Sequence, residues 1–345
     1  MSRRHFLKTS ALVGAGAVAG GFAMPVAAAA QQAPSIGTAK RPVRFLMGGY
    51  GPSTNGFSLG MKQVGDRLEK KFPGQIEVKY VYNILDLGYR GEDIMWLVEQ
   101  GVLALGYQSS SYLTERVPDL GIADLPFLFR DTKTARAAMD GRLGQLLTAR
   151  TEAAMNYRIL GWFENGFRHV SNRVRPVRLP ADMKGLKTRV LPSKVQERTF
   201  QLLGADPKIM DLSEAIEAVK AGTIDAQENP FANTVTYGVH KFHKFHSATN
   251  HFYLSRPIFL HRPTFDALPR PIQEEFRAAV HDAVAFQRDL HVKEEEDAMV
   301  AIRKEGGEIL ELTPEQHKAF VTAVTPIYGE ARKQYGRELL DQVSF

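Results

Sequence analysis

The strongest chemical suggestion in the sequence comes from two residues near the ends of extended runs, Arg189 and Asn229. Arg189 lies near the close of residues 186–190, where Leu186, Thr188 and Val190 share one face and Lys187 and Arg189 the other. Asn229 ends the run 223–229 just before Pro230. A planar guanidinium gives a carboxylate two parallel, charge-assisted hydrogen bonds, and a side-chain amide adds a donor and an acceptor. If the two runs are parallel neighbours, both side chains face one cleft. The other reading of Arg189 is a buried salt bridge between domains.

The elements that must position this pair follow from turn and cap residues. Pro192 and Ser193 stop the first run and open a helix carrying Val195, Phe200, Leu202 and Leu203, which Gly204 closes. A short apolar run at 208–210 follows, Asp211 and Glu214 have capping-box spacing, and a helix over 212–220 ends at Gly222. Strand, helix, strand, helix, strand is the order of a parallel sheet covered by helices, with its ligand site at the carboxyl ends of the strands.

The same order is written at the amino end. A strand at 43–47 enters the glycine-rich loop 48–56, which contains Tyr50; a helix over 57–72, a strand at 76–81, a helix over 89–99 and a strand at 102–107 follow. The polar loop after that last strand, Gln108, Ser109, Ser110, Ser111 and Tyr112, belongs on the same cleft. Further on, helices are expected after Asp131 and over 143–154, with one strand at 157–163 and a second at 166–172. Residues 231–244 read as helical or bent, and 251–254 and 257–261 as extended. A long helix runs from Pro271 to about Lys304, with apolar Phe276, Val280, Val284 and Leu290 at helical spacing. A last strand at 308–312 and one amphipathic terminal helix, capped at Thr313, complete the chain.

Composition excludes several functions. With no cysteine there is no disulfide, thiolate metal site or cysteine nucleophile. Residues 1–30 read as a twin-arginine signal peptide: Arg3 and Arg4, a weakly apolar Gly/Ala stretch, and the cleavage site Ala28-Ala29-Ala30. Residues 31–41 are a flexible lead-in. Three of the cations behind the net charge of +6 (Arg3, Arg4, Lys8) lie in the leader, which leaves +3 on the mature chain and no basic stripe for nucleic acid. Gly14, Gly16 and Gly20 mimic a dinucleotide fingerprint, but no strand precedes them. His240, His243 and His246 are read as surface histidines without a carboxylate at ligand spacing, not a metal site. Residues 294–297, three glutamates and an aspartate, read as the solvated face of the long helix. For an exported enzyme, the serines at 109–111 lack a nucleophile elbow and adjacent Glu92 and Asp93 diverge on a helix. With 44% hydrophobic residues, the mature chain can support two domains and a cleft.

The strings Pro180-Ala-Asp-Met-Lys-Gly-Leu-Lys-Thr-Arg189, Leu203-Gly204-Ala205-Asp206-Pro207, Ala221-Gly222-Thr223-Ile224-Asp225 and Glu228-Asn229-Pro230 resemble the solute-binding proteins of TRAP (tripartite ATP-independent periplasmic) transporters, DctP type. The resemblance covers nearly the whole mature chain. It implies a two-lobed α/β fold of the periplasmic binding protein kind, with a hinge, mixed but mainly parallel sheets and a long helix spanning both lobes. Lobe I would hold residues 42–163 plus about 252–285, and lobe II 164–251 plus about 286–345. It implies that Arg189 pairs with a substrate carboxylate, that Arg168 is a second arginine holding the same group, and that Leu125-Pro126-Phe127 packs rather than binds. The candidate binding set is then Arg189, Arg168, Asn229, Glu228, Tyr50, Gln108, Ser109 and His251. Gln227-Glu228-Asn229 lacks the tryptophan found there in members that bind 2-oxo acids through a metal ion.

Function follows as an expectation: a periplasmic subunit, without cofactor, metal or catalysis, that captures a small organic acid and delivers it to a membrane permease. A periplasmic sensor or scavenging protein would carry the same sequence features. Nothing reads as a strong interface, which favours a monomer over a dimer.

Overall fold

Caps, prolines and glycines cut the chain into elements much as the sequence predicts. The computed structural model describes residues 42–345; the expected leader and lead-in lie outside the described residues. One half of the sheet is made by β1 (Val43–Gly48), β2 (Ile76–Val81) and β3 (Leu105–Tyr107), joined through α1 (Gly56–Lys71) and α2 (Asp93–Glu99). Asn55 starts α1 by accepting from the Ser58 N–H at 2.8 Å. The second helix begins at Asp93 rather than Tyr89, because Ile84–Leu87 forms a separate 3-10 turn ended by Gly88 in the left-handed region.

After α3 (Thr132–Asp140) and α4 (Arg142–Ala154) comes β4 (Tyr157–Asn172). The sequence splits this stretch into two strands; it is one strand of 16 residues, kept continuous by register shifts at Ile159/Gly161, Glu164/Gly166 and Arg168/Val170. Gly166 has φ +85° and a side chain there would strike His291, so glycine is required at that bulge. The other half of the sheet is β5 (Lys187–Val190), β6 (Asp206–Ile209) and β7 (Ala226–Asn229), with α5 (Lys194–Leu202) and α6 (Leu212–Ala221) between them.

The short α7 (Phe231–Thr236) leads to β8 (Phe245–His261), again one long strand where two were expected, because Pro257 sits inside the ladder opposite Trp162 instead of ending it. Next come α8 (Arg262–Asp266), α9 (Arg270–Lys304), β9 (Glu308–Glu311) and three terminal helices, α10 (Pro314–Val324), α11 (Pro326–Gln334) and α12 (Arg337–Leu340), in place of one.

All nine strands belong to one sheet in the order β2-β1-β3-β8-β4-β7-β5-β6, with β9 also on β8. Neighbours are parallel except where β8 meets β3 and β4 and where β4 meets β7. The antiparallel pair β4 and β8 therefore runs through both halves and joins them. α9 buries Ile272, Phe276, Ala279, Val280, Ala283 and Val284 along one stripe. The Phe276 ring meets Phe45 of β1 edge-on at 5.3 Å. Further along α9, the buried Gln287 amide donates to the Glu164 carbonyl and accepts from its N–H, both at 2.9 Å, holding the bulge of β4.

Two surface readings are corrected. His240, His243 and His246 are buried: the turn 239–241 packs on α6 and α7, His243 bonds Ser171 of β4 at 3.0 Å, and His246, in β8 between β4 and β9, bonds the His243 carbonyl at 3.0 Å. Glu294 and Glu295 do not face solvent freely but accept backbone N–H groups at the starts of α1 and α7, leaving only Glu296 and Asp297 exposed. Asp211 caps α6 by accepting from the Ser213 N–H and takes the Glu92 N–H of the other half on its second oxygen, while Glu214 pairs with Arg90 instead of reaching back to complete a capping box.

Candidate functional site

The run that begins at Lys187 becomes β5, and its parallel pairing with β7 sets Arg189 beside Gln227. Asn229 then stands at the carboxyl end of β7 while Arg189 stands near that of β5, so both side chains reach the same space. That space is a cavity of about 20 Å³ lined by Tyr50, Ser109 and Tyr112 from one half of the sheet and by Arg168, Arg189 and Asn229 from the other. Asn165, Tyr237 and Arg256 complete its polar wall, and Leu191 and Leu212 its apolar side.

Arg189 is 2% exposed. Its Nε and Nη2 donate to the Met210 carbonyl (3.1 and 2.9 Å), and Nη2 also donates to the Tyr112 hydroxyl at 3.1 Å. Among the described residues no carboxylate lies within ion-pair distance of it. The guanidinium is thus oriented by neutral oxygens and keeps its charge uncompensated, which removes the salt-bridge reading. Burial pushes the Tyr112 hydroxyl well above its ordinary range, so it stays protonated beside the cation.

Arg168 is placed differently. Its Nε and Nη2 grip both carboxylate oxygens of Glu228, and Nη2 also reaches the Glu228 carbonyl at 2.7 Å. Both side chains are fully buried. Burial would raise the Glu228 carboxyl, but the Arg168 charge outweighs it and holds the group below its ordinary value. Arg168 borders the cavity as half of a neutral pair.

Three of the candidates lie behind the wall. Gln108 donates to the Gly91 carbonyl at 2.6 Å and accepts from the Ser109 N–H at 2.8 Å. Glu228 faces Arg168 from inside the sheet. The His251 ring stands 3.6 Å from Glu228 and shares its other nitrogen with the Thr249 hydroxyl at 2.7 Å; burial holds its pKa below the ordinary histidine value. Tyr50 and Ser109 line the cavity, and the Ser109 N–H donates to the Tyr50 hydroxyl at 3.2 Å.

Sequence reasoning placed Tyr112 in the polar loop expected on the cleft, but missed Asn165, Tyr237 and Arg256 as lining residues. Asn165 lay between two expected strands, Arg256 was hidden in the expected gap before Pro257, and Tyr237 follows a helix of uncertain bounds. Arg256 is 3% exposed, with its guanidinium 3.8 Å from the Phe57 ring centre and 4.8 Å from that of Tyr50.

A larger groove of about 550 Å³ runs between α4, β4 and α9, but its wall arginine, Arg288, makes two hydrogen bonds to Asp140 at 2.7 Å. The small cavity, below the usual 300–1,000 Å³ of drug-sized sites, is the place where unpaired buried charge collects.

Comparison with known proteins identifies the family. The family model for bacterial extracellular solute-binding protein, family 7, matches residues 47–334, and that for the twin-arginine translocation signal matches residues 1–20. A solute-binding protein of Verminephrobacter eiseniae is 32% identical over 276 residues, covering 80% of this chain and 81% of its own. The 2,3-diketo-L-gulonate-binding periplasmic protein of Escherichia coli is 29% identical over 84% of this chain and 87% of its own. Among solved structures, a TRAP periplasmic solute-binding protein from Polaromonas, bound to D-erythronate, superposes with a TM-score of 0.81 at 28% identity, covering 87% of this chain and 96% of that one.

Proposed function

Because this chain belongs to the bacterial extracellular solute-binding proteins of family 7, we propose that the cavity between the two halves of its sheet is where a small organic acid is held, with Arg189 receiving the carboxylate. The protein is the periplasmic binding subunit of a TRAP transporter, exported by a twin-arginine signal and not an enzyme. Among the described residues no helix is long and apolar enough to cross a membrane.

The observation that carries the site reading is the uncompensated charge of Arg189, oriented by Met210 and Tyr112. A buried cation without a counter-ion is costly, and a carboxylate ligand relieves that cost. Each charge-assisted hydrogen bond contributes about 1.5 to 3 kcal/mol. With Nε and Nη2 engaged, Arg189 offers Nη1 to the acid, and a second, parallel bond from Nη2 displaces the Tyr112 hydroxyl; with Asn229 and the Tyr50 side adding neutral contacts, this is compatible with micromolar affinity, about −8.2 kcal/mol. In this reading Arg168, Glu228 and His251 are a rigid backing that keeps the wall in place. The lobes divide within β4 and β8 at about 163/164 and 251/252, and within α9 near 285/286; closing them over the acid excludes water.

The test is a thermal-shift screen of the mature protein against small carboxylates, each beside its amide. A ligand at a hundred times its Kd raises stability by about 2.7 kcal/mol. The reading stands if acids shift the melting temperature and their amides do not, and it falls if an uncharged compound does so where no acid does.

A further inference from the structure

We propose that Asp211 is a clasp: its carboxylate ties the two halves of the sheet together beside the cavity and so sets how long a bound acid stays on Arg189. This rests on the proposed function and deepens it by naming a positioning residue that touches no ligand.

One carboxylate is shared between two segments 120 residues apart. In its own half Asp211 caps α6, taking the Ser213 N–H (2.9 Å) and hydroxyl (2.8 Å) on Oδ1. From the other half it takes the Gly91 N–H on Oδ1 at 3.1 Å and the Glu92 N–H on Oδ2 at 2.9 Å. The first two bonds survive a parting of the halves, and the last two do not. Asp211 is 2% exposed; burial alone would raise its carboxyl, but the bonds from Ser213, Gly91 and Glu92 outweigh it and hold the group below its ordinary value. The acceptor is therefore charged and its bonds are charge-assisted. Arg90 and Glu214 join the same two segments at 3.2 Å, but both are exposed and add little.

Gly91 is fitted to this contact. Its backbone lies outside the left-handed region, so no turn demands the glycine. A Cβ there would stand 3.2 Å from the Asp211 Oδ2 and 3.5 Å from the Leu212 Cβ, so what glycine supplies is close approach.

The clasp is continuous with the site on both sides. The preceding residue, Met210, gives its carbonyl to the Arg189 Nε and Nη2. The Gly91 carbonyl accepts from Gln108 at 2.6 Å, and the Gln108 Oε1 takes the N–H of the cavity residue Ser109 at 2.8 Å. A cavity of about 20 Å³ holds about one water, so an acid reaches or leaves Arg189 only when the halves part. Dissociation then has to break the Gly91 and Glu92 bonds, whereas association starts from parted halves and does not.

The test compares the mature native protein with Asp211→Ser. Serine caps a helix as well as aspartate does, so α6 keeps its start, but its one short acceptor cannot reach the other half. Amide hydrogen exchange followed by NMR at Gly91, Glu92 and Ser213, without acid and with saturating glycerate, succinate or gluconate, reads the clasp; stopped-flow binding reads the residence time. Gly91 and Glu92 should exchange at least about tenfold more slowly in the native chain, with Ser213 alike in both proteins. A bound acid should leave the variant about tenfold faster, with association changed by less than about threefold. Asp211→Asn, which caps but offers one oxygen in place of two, should fall between and serves if the Ser variant does not fold. Equal exchange at Gly91 and Glu92 in both proteins, with and without acid, overturns the clasp and leaves the carboxylate site untouched. Lost protection with an unchanged dissociation rate overturns the residence role. If none of the three acids binds, the Arg189 reading loses its support, while exchange at Gly91 and Glu92 still upholds or overturns the clasp.

Discussion

Glu294 and Glu295 are adjacent on α9, yet they hold helices from opposite halves of the sheet. Glu294 Oε1 accepts from the Gly56 N–H at 2.6 Å, at the start of α1, which follows β1. Glu295 accepts from the N–H groups of Phe231 (3.2 Å) and Ala232 (2.9 Å), at the start of α7, which follows β7. A single turn of the long helix thus ties both sides through anion-to-helix-start contacts.

Burial pushes Glu295 up to about 7, the two N–H bonds only partly opposing it. A carboxyl whose folded pKa exceeds its unfolded value binds its proton more tightly in the folded state. Its contribution is fully present below about pH 4.5 and is lost as pH rises through about 7. Urea unfolding of native protein and Glu295→Gln should show the native chain losing up to about 3 kcal/mol relative to the variant between pH 5 and 8. A pH-independent difference would mean that Glu295 does not titrate in this range.

Buried histidines act with the opposite sign. Burial holds His169 and His243 down to about 3, and His246 and His291 down to about 4. Stability from these neutral rings is present above their unfolded value near 6.5 and is lost as pH falls toward their folded values, at up to about 2 kcal/mol each by pH 5. Circular-dichroism melts should show the native protein weakening between pH 7 and 5. The double variant His243→Gln, His246→Gln should flatten that slope, whatever its absolute stability.

The Arg168–Glu228 pair gives a test of structure rather than binding. Glu228→Gln leaves a buried guanidinium half-partnered and should lower unfolding stability by about 3 to 5 kcal/mol. Replacing both by methionine should recover most of that loss, because the uncompensated charge goes with the pair. Equal losses in the single and double variants would assign the cost to packing instead.

For Arg189, conservative replacement is the sharper probe. Arg189→Lys keeps the charge but cannot present two parallel N–H groups, and should weaken acid binding about a hundredfold while shifting the unliganded melting temperature by only a few degrees. Titration of both proteins with the best acid from the thermal screen measures it; near-normal affinity would remove the fork.

Much of this was legible because local rules sufficed. Asp131, Ser193, Asp211 and Thr313 cap helices where expected, and Gly222 closes α6 in the left-handed region. That Arg189 and Asn229 line one cavity follows from β5 and β7 being parallel neighbours, the condition the strand order suggests. What stayed hidden depends on distant partners. Arg256 next to Pro257 reads as a break, and only pairing with β4 makes it part of a strand. Glu294 and Glu295 sit in an acidic run that looks solvated until α1 and α7 are laid against it. Glu228 and His251 are polar residues of the expected site region, but polar residues inside a sheet serve one another before they serve a cavity.

The interleaving of β8 between β3 and β4 also sets when this protein can come together during synthesis. Leu105 must find Leu260 and Tyr157 must find His261, while β1 and β2 reach the rest of the sheet only through β3. The groups β2-β1-β3 and β4-β7-β5-β6 can each pair early, but they cannot be joined until the ribosome has delivered the last residues of β8, late in translation. Such distant pairings make folding slow, so the nascent chain spends much of its time on the ribosome with the centre of its sheet still open.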